Sequence, residues 1–274
     1  MLCSRRLLSL ICLFASLLSK LVASGQPGRF AASQHHQLAE QKEAAGDYKG
    51  AAAEYEIAAR LDPSEENLFD LGSHLLQYHG YLQGLQVFAY AASKFPRSAR
   101  LQVGLGIAQY SLGQYRDAVE TLCHAVDLDP KDTRALSFLG AMIDVAPELS
   151  SEVTKRLAHF AALYPGNPAA NYFYAISLWR RGIEGKAKQE ARELLEKAVA
   201  EDPTFAEAHY QLGLIYQDDG LNYKAAQEFE TAIRLNPSLK SAHYRLAQIY
   251  AKEGKKELAE REFKTVELLN HSHP

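Results

Sequence analysis

The chain has 274 residues, 47% hydrophobic and 23% charged, which supplies enough apolar material for a buried core and argues against wholesale disorder or a purely fibrous protein. Thirty Lys and Arg against 33 Asp and Glu leave a net charge of −3, a balance with no electrostatic footprint for nucleic acid. Without the first 24 residues, which hold Arg5, Arg6 and Lys20, the body carries 27 basic and 33 acidic residues and a net charge of −6.

Residues 1–24 read as a secretory signal, because Arg5 and Arg6 precede an apolar stretch from Leu7 to Ser19 and small residues follow at Ala23 and Ser24. A spanning helix needs about 20 apolar residues, and Lys20 stops this run short. The expectation is an exported protein, periplasmic or extracellular and without a membrane span after cleavage; an uncleaved membrane anchor is the alternative. Ser4 to Leu8 partly resembles a twin-arginine signal, although the Leu-rich core suits general secretion. Cys3 and Cys12 lie in the leader, so Cys123 stands alone in the body, where one cysteine makes no intrachain disulfide; it reads as a small apolar residue on a buried helix face.

Behind a short linker at 25–31, the body is punctuated by prolines. Pro63, Pro96, Pro130, Pro165, Pro203 and Pro237 each follow an apolar helical stretch, at spacings of 33, 34, 35, 38 and 34. Proline lacks the amide donor and clashes with the preceding turn, so each marks a helix end. Five residues before them lie Ala58, Ala91, Ala125, Ala198 and Ala232; eight before lie Tyr55, Phe88, Leu122, Leu195 and Phe229. Small and large residues therefore recur three apart on one helix face. Twenty-four before stand Ala39, Gly72, Gly106 and Gly213, each preceded by leucine, and turns are expected near Gly46, Gly113 and Gly220. Adding 34 to the sixth copy gives Leu246, Ala247, Tyr250, Gly254, Ala259, Phe263 and Val266, a seventh copy without the proline.

This pattern of Leu-Gly, Tyr, Gly, Tyr, Ala, Phe, Ala and Pro resembles the tetratricopeptide repeat family. The resemblance covers residues 32–270 and implies an all-α, right-handed α-solenoid of about seven helix-turn-helix repeats, at 32–64, 65–97, 99–131, 133–166, 168–204, 206–238 and 240–270, with a tail at 271–274. Two repeats depart from the pattern. In the fourth, Pro147 stands in the turn, Phe160 takes a small-residue slot and the second helix is expected from Glu148 to Tyr164; the fifth has four surplus residues near Gly182 to Gly185, close to one helical turn. The first helix, expected from Ser33 to Ala44, reads as a polar cap, whereas Leu258, Leu268 and Leu269 leave the C-terminal end as a surface for charge capping or for oligomer contacts.

No nucleophile elbow, phosphate-binding loop, zinc-protease helix or cysteine pair occurs, and Gly104-Leu-Gly106 does not continue into a dinucleotide motif; neither catalysis nor a cofactor is expected. His35, His209 and His243 share one slot, three residues before the Leu, which favours repeat architecture over a metal ligand set. In the family the first helix of each repeat lines a concave groove. That implies inward positions for Phe69, Ser73 and Leu76; for Val103, Ile107 and Tyr110; for Tyr172, Ile176, Trp179 and Arg180; and for Tyr210, Leu214, Gln217, Tyr244 and Gln248. Rigid aromatics of this kind bind a protein or peptide at low entropy cost, with Trp179 and Arg180 as candidate hot spots; alternatively they only pack between neighbouring first helices. The chaperone-type carboxylate clamp of the family is missing, since His36, Glu40, Phe69 and Ser73 occupy its leading slots. The expected function is a non-catalytic scaffold or adaptor; a structural subunit of an envelope assembly and a glycan-facing module are the alternatives.

Overall fold

A computed structural model describes residues 27–180 and 185–271. The leader, the 271–274 tail beyond its first residue and most of the fifth-repeat insertion lie outside the described residues. Among those described, fourteen α-helices follow one another: α1 (Pro27–Ala44), α2 (Tyr48–Leu61), α3 (Glu65–Gln77), α4 (Tyr81–Lys94), α5 (Ala99–Ser111), α6 (Tyr115–Leu128), α7 (Thr133–Val145), α8 (Ser150–Leu163), α9 (Pro168–Arg180), α10 (Lys186–Glu201), α11 (Ala206–Asp218), α12 (Asn222–Leu235), α13 (Lys240–Lys252) and α14 (Lys256–His271). Odd-numbered helices are the first of a repeat and even-numbered helices the second. The chain forms two compact units, residues 27–138 and 139–271 of those described, divided within α7.

Several second helices end at the proline signal in the same way. The amide after the helix donates to the repeating alanine four residues back: Asp62 to Ala58 at 2.9 Å, Phe95 to Ala91 at 2.8 Å, Asp202 to Ala198 at 2.9 Å and Asn236 to Ala232 at 2.8 Å. The proline that follows has no amide to continue the ladder. Side-chain oxygens then start several new helices, with Ser64 accepting from the Asn67 amide, Ser98 from Leu101 and Asn167 from Ala170.

The Leu-Gly position is a contact between helices. A Cβ on Gly72 would lie 2.6 Å from the Phe88 ring, one on Gly213 2.6 Å from the Phe229 ring, and one on Gly106 2.6 Å from Leu122. In these three repeats the bulky residue of the second helix thus seats in a notch on its own first helix, whereas in repeat four the Gly140 notch faces Phe173 of α9. Phe88 and Phe229 are fully buried as a result. The turn between helices requires left-handed backbone, at Gly46 (φ 80°), Gly113 (72°), Gly220 (74°) and Gly254 (74°), whereas repeat two places His79 there at φ 64°.

Differences from the sequence expectations are local. Helix α1 starts at Pro27, so residues 27–31 are helical and not linker, and it is longer than the expected Ser33 start. In repeat four a 3-10 turn over Pro147–Leu149 precedes α8, which therefore begins at Ser150. Helix α10 has 16 residues where α12 has 14, so part of the surplus extends a helix. Cys123 is buried, as its helix face implied.

Both ends of the array are visible in single slots. Leu38 is 39% exposed, although its counterparts Leu71, Leu212 and Leu246 are buried. On α14, Glu260 and Glu267 take the slots of Ala226 and Ile233, which pack in the α12 core, so this flank of the last helix is charged. Leu258 (36%) and Leu268 (62%) are exposed on the same helix. Gly72→Val should destabilise the protein by about 1–3 kcal/mol through overpacking against Phe88, and Gly220→Ala by about 1–2 kcal/mol through left-handed strain. Urea unfolding measures both; variants with parental midpoints would show that neither slot demands glycine.

Candidate functional site

The shared histidine slot resolves into a structural clamp. His35 Nδ1 lies 2.7 Å from Glu54, His209 Nδ1 2.7 Å from Glu228 and His243 Nδ1 2.6 Å from Glu262, in every case nineteen residues along the chain. The other ring nitrogens of His209 and His243 face the carbonyls of Pro203 (3.2 Å) and Pro237 (3.1 Å). Asn171 takes the slot in repeat five and donates to the Pro165 carbonyl at 3.0 Å. First helix, second helix and the connection from the previous repeat are thereby tied at one point. The glutamates went unnoticed in the sequence, although their constant separation from the histidines was there to be read.

Within the N-terminal unit, the first-helix residues fall into different classes. Val103 is buried, which removes it from any partner surface: it belongs to the core of α5. Phe69, Leu76, Ile107 and Tyr110 are half-buried. Phe69 packs edge-on against Phe88 at 6.1 Å between centroids and is covered on one side by the Arg100 guanidinium at 5.0 Å. Arg100 in turn donates to Glu65 at 2.6 Å. The Ser98 hydroxyl, donating to the same carboxylate, and then that Arg100 bond hold the Glu65 carboxyl below its ordinary range. Tyr110 meets Tyr115 at 5.7 Å and Phe138 at 5.2 Å. Beside them, burial pushes the Asp70 carboxyl up, with His36 opposing at 3.7 Å.

In the C-terminal unit Ile176 is buried in the core, which removes it from a partner surface, whereas Arg180 is exposed and ion-paired with Asp144. Trp179 is half-buried at the end of α9, with Lys188 Nζ 6.0 Å from its ring centroid. Lys188 is itself held by Asp218 and, at 2.5 Å, by Asp219. Tyr172 sits 4.8 Å from Phe205 and 4.9 Å from Phe173, and burial, with Glu207 adding, pushes its hydroxyl up to about 12. Tyr210 and Leu214 are half-buried. Tyr244 is 45% exposed. The rings of Tyr210 and Tyr244 rest on Phe229 (5.8 Å) and Phe263 (5.9 Å).

A second tyrosine slot is fully structural. Tyr216 donates to Glu196 at 2.9 Å and Tyr250 to Glu230 at 2.6 Å, both buried at the far end of their helices. Burial first, then the Glu196 hydrogen bond, push the Tyr216 hydroxyl up to about 12 from 10.0. No helix among the described residues is long and apolar enough to cross a membrane.

Three family models, each described as a tetratricopeptide repeat, match residues 75–142, 194–228 and 241–270. Among solved structures, a tetratricopeptide repeat protein of Parabacteroides merdae is 16% identical, with a TM-score of 0.57 over 89% of this chain and 94% of that one. Pseudomonas aeruginosa pilF is 16% identical, with a TM-score of 0.58 over 77% of this chain and 94% of that one. These likenesses are of fold. A Hordeum vulgare protein described as a probable UDP-N-acetylglucosamine–peptide N-acetylglucosaminyltransferase, SPINDLY, is 26% identical over 141 residues, 50% of this chain. The chain spans 15% of that relative's length.

Two predictions concern the clamps. His243→Ala leaves the buried Glu262 with Arg261 as its remaining partner and should cost about 1–3 kcal/mol, whereas His35→Ala, at a more exposed pair whose Glu54 keeps Lys42, should cost less than about 1 kcal/mol; equal losses in chemical denaturation would contradict the assignment. Because the Tyr216 hydroxyl is raised in the fold, its share of stability is complete below pH 10 and is lost as pH climbs towards about 12. Thermal melts across that window should therefore fall less steeply for Tyr216→Phe than for the parent.

Proposed function

We propose, since this chain is a tetratricopeptide repeat protein and such arrays are in general protein-interaction modules, that it is a non-catalytic scaffold holding a peptide or protein segment on the first helices of its C-terminal unit. The observation that carries this is a stripe of Tyr210, Leu214 and Gln217 on α11 and Tyr244 and Gln248 on α13, in which the tyrosines share one slot and which the protein covers only partly. Their rings are pre-set by the phenylalanines beneath them, which reduces the entropy lost on binding. Tyr172 and Trp179 support the stripe more than they expose it. The basic-apolar character of residues 1–24 supports export, with the cell envelope of a bacterium as the place of action.

A second reading uses the C-terminal helix, where Leu258 and Leu268 are exposed, as the contact of an envelope assembly. Affinity capture from envelope extract separates the two. A Tyr244→Ala, Gln248→Ala protein that melts like the parent should lose its principal partner while a Leu258→Ser, Leu268→Ser protein retains it. The reverse pattern would move the site to α14.

A further inference from the structure

In the N-terminal unit a hollow of about 300 Å³ lies between the second helices of repeats one and two. Helix α3 contributes Leu71 and Leu75 to its lining, α2 Ala52 and Ala53, and α4 Val87. Leu71 and Val87 are buried, whereas the lining residues Lys49, Ala53, Glu56 and Gln83 are exposed, so the hollow has an apolar floor and a polar mouth. One departure from the repeat keeps it open. Ala53 stands ten residues before Pro63, and the corresponding slot holds Gln86, Glu120, Lys155, Glu193, Gln227 and Arg261 in the other repeats. A long side chain at this lining position would take up the space, and repeat one alone has a short one there.

The mouth carries an unanswered positive charge. Lys49 makes no ion pair or hydrogen bond among the described residues, and neither do the side-chain amides of Gln83 and Gln86. Glu56, the acid of the lining, is already engaged by Arg60 at 3.9 Å. One ammonium and two amides are a donor set for an anion, and an apolar space with a few polar groups at its edge is the layout of a small-ligand site. The volume sets the size of the ligand, since at about 30 Å³ for each water-sized group the hollow holds about ten. A leucine side chain from a protein partner brings only about four heavy atoms and octanoate about ten, so the free aliphatic chain matches the space. We propose that the hollow between α2 and α4 binds a medium-chain aliphatic monocarboxylate, its chain against Leu71, Leu75 and Val87 and its carboxylate at Lys49. This site is independent of the peptide-holding face on α11 and α13.

NMR titration of the full chain, labelled at its leucine and valine methyl groups, tests this with octanoate, hexanoate and octylammonium. Octanoate should shift the methyl signals of Leu71, Leu75 and Val87 saturably. Hexanoate, two methylenes shorter, should bind about tenfold more weakly, and octylammonium, with the charge reversed, at least about tenfold more weakly. Lys49→Met, which keeps the apolar stem, should weaken octanoate by about fivefold. Ala53→Gln carries the side chain found in repeats two and six and should abolish the octanoate shifts while the urea midpoint stays at the parental value. Equal binding of octanoate and octylammonium, or parental octanoate binding by Lys49→Met, would overturn the carboxylate assignment. Absence of saturable shifts with octanoate, or shifts that survive Ala53→Gln, would overturn the site itself.

Discussion

The structure depends on one steric relation, a residue without a side chain on the first helix of a repeat facing a large one on the second. Where Gly72 meets Phe88 and Gly213 meets Phe229, the ring occupies the space a Cβ would take. Close packing of this kind fixes both the distance and the rotation of the two helices, because interiors tolerate neither a void nor a clash of one carbon. Once the pair is fixed, the alanine four residues before the cap, the proline and the left-handed turn can fall at constant intervals. The relation recurs at about 34 residues where glycine stands in the slot, and alanine, the next smallest side chain, takes it at Ala39 and Ala247.

The clamp and the aromatic stripe are consequences of that geometry. Nineteen residues separate each clamp histidine from its glutamate because the rest of the first helix, one turn and about half of the second helix must be traversed to reach the opposing face. The same register sets Tyr210 on Phe229 and Tyr244 on Phe263, leaving the outer part of the tyrosines for contact.

The repeat, its seven copies and the pairing of helices were legible in the sequence because proline, glycine and the small-large alternation act locally and recur. The start of α1 was not, since Gly28 to Ala32 contain no breaker after Pro27 and read as leader-proximal chain. The surface was less legible than the fold. Val103 and Ile176 share the apolar character of half-buried residues such as Leu214, and only the packing of adjacent helices decides how far each is covered. Arg180 and Trp179 look like hot spots in a string of letters; in the fold Asp144, from another helix, pairs with Arg180, and Lys188 lies over Trp179. The charged slots of α14, by contrast, were readable by superposing Glu260 and Glu267 on Ala226 and Ile233.

A fold built from one repeated contact concentrates its energetics there, and the contact can be interrogated without reference to any partner. The direct measurement is a double-mutant cycle between Gly213→Ala and Phe229→Leu, with stability read from urea unfolding of each single variant and the double variant. If the ring fills the space above Gly213, shortening it should relieve the added methyl. The double variant should then be more stable than the summed single losses allow by about 0.5–3 kcal/mol. Losses that simply add would show that the glycine and the ring are independent, and would contradict the packing relation on which the array is built.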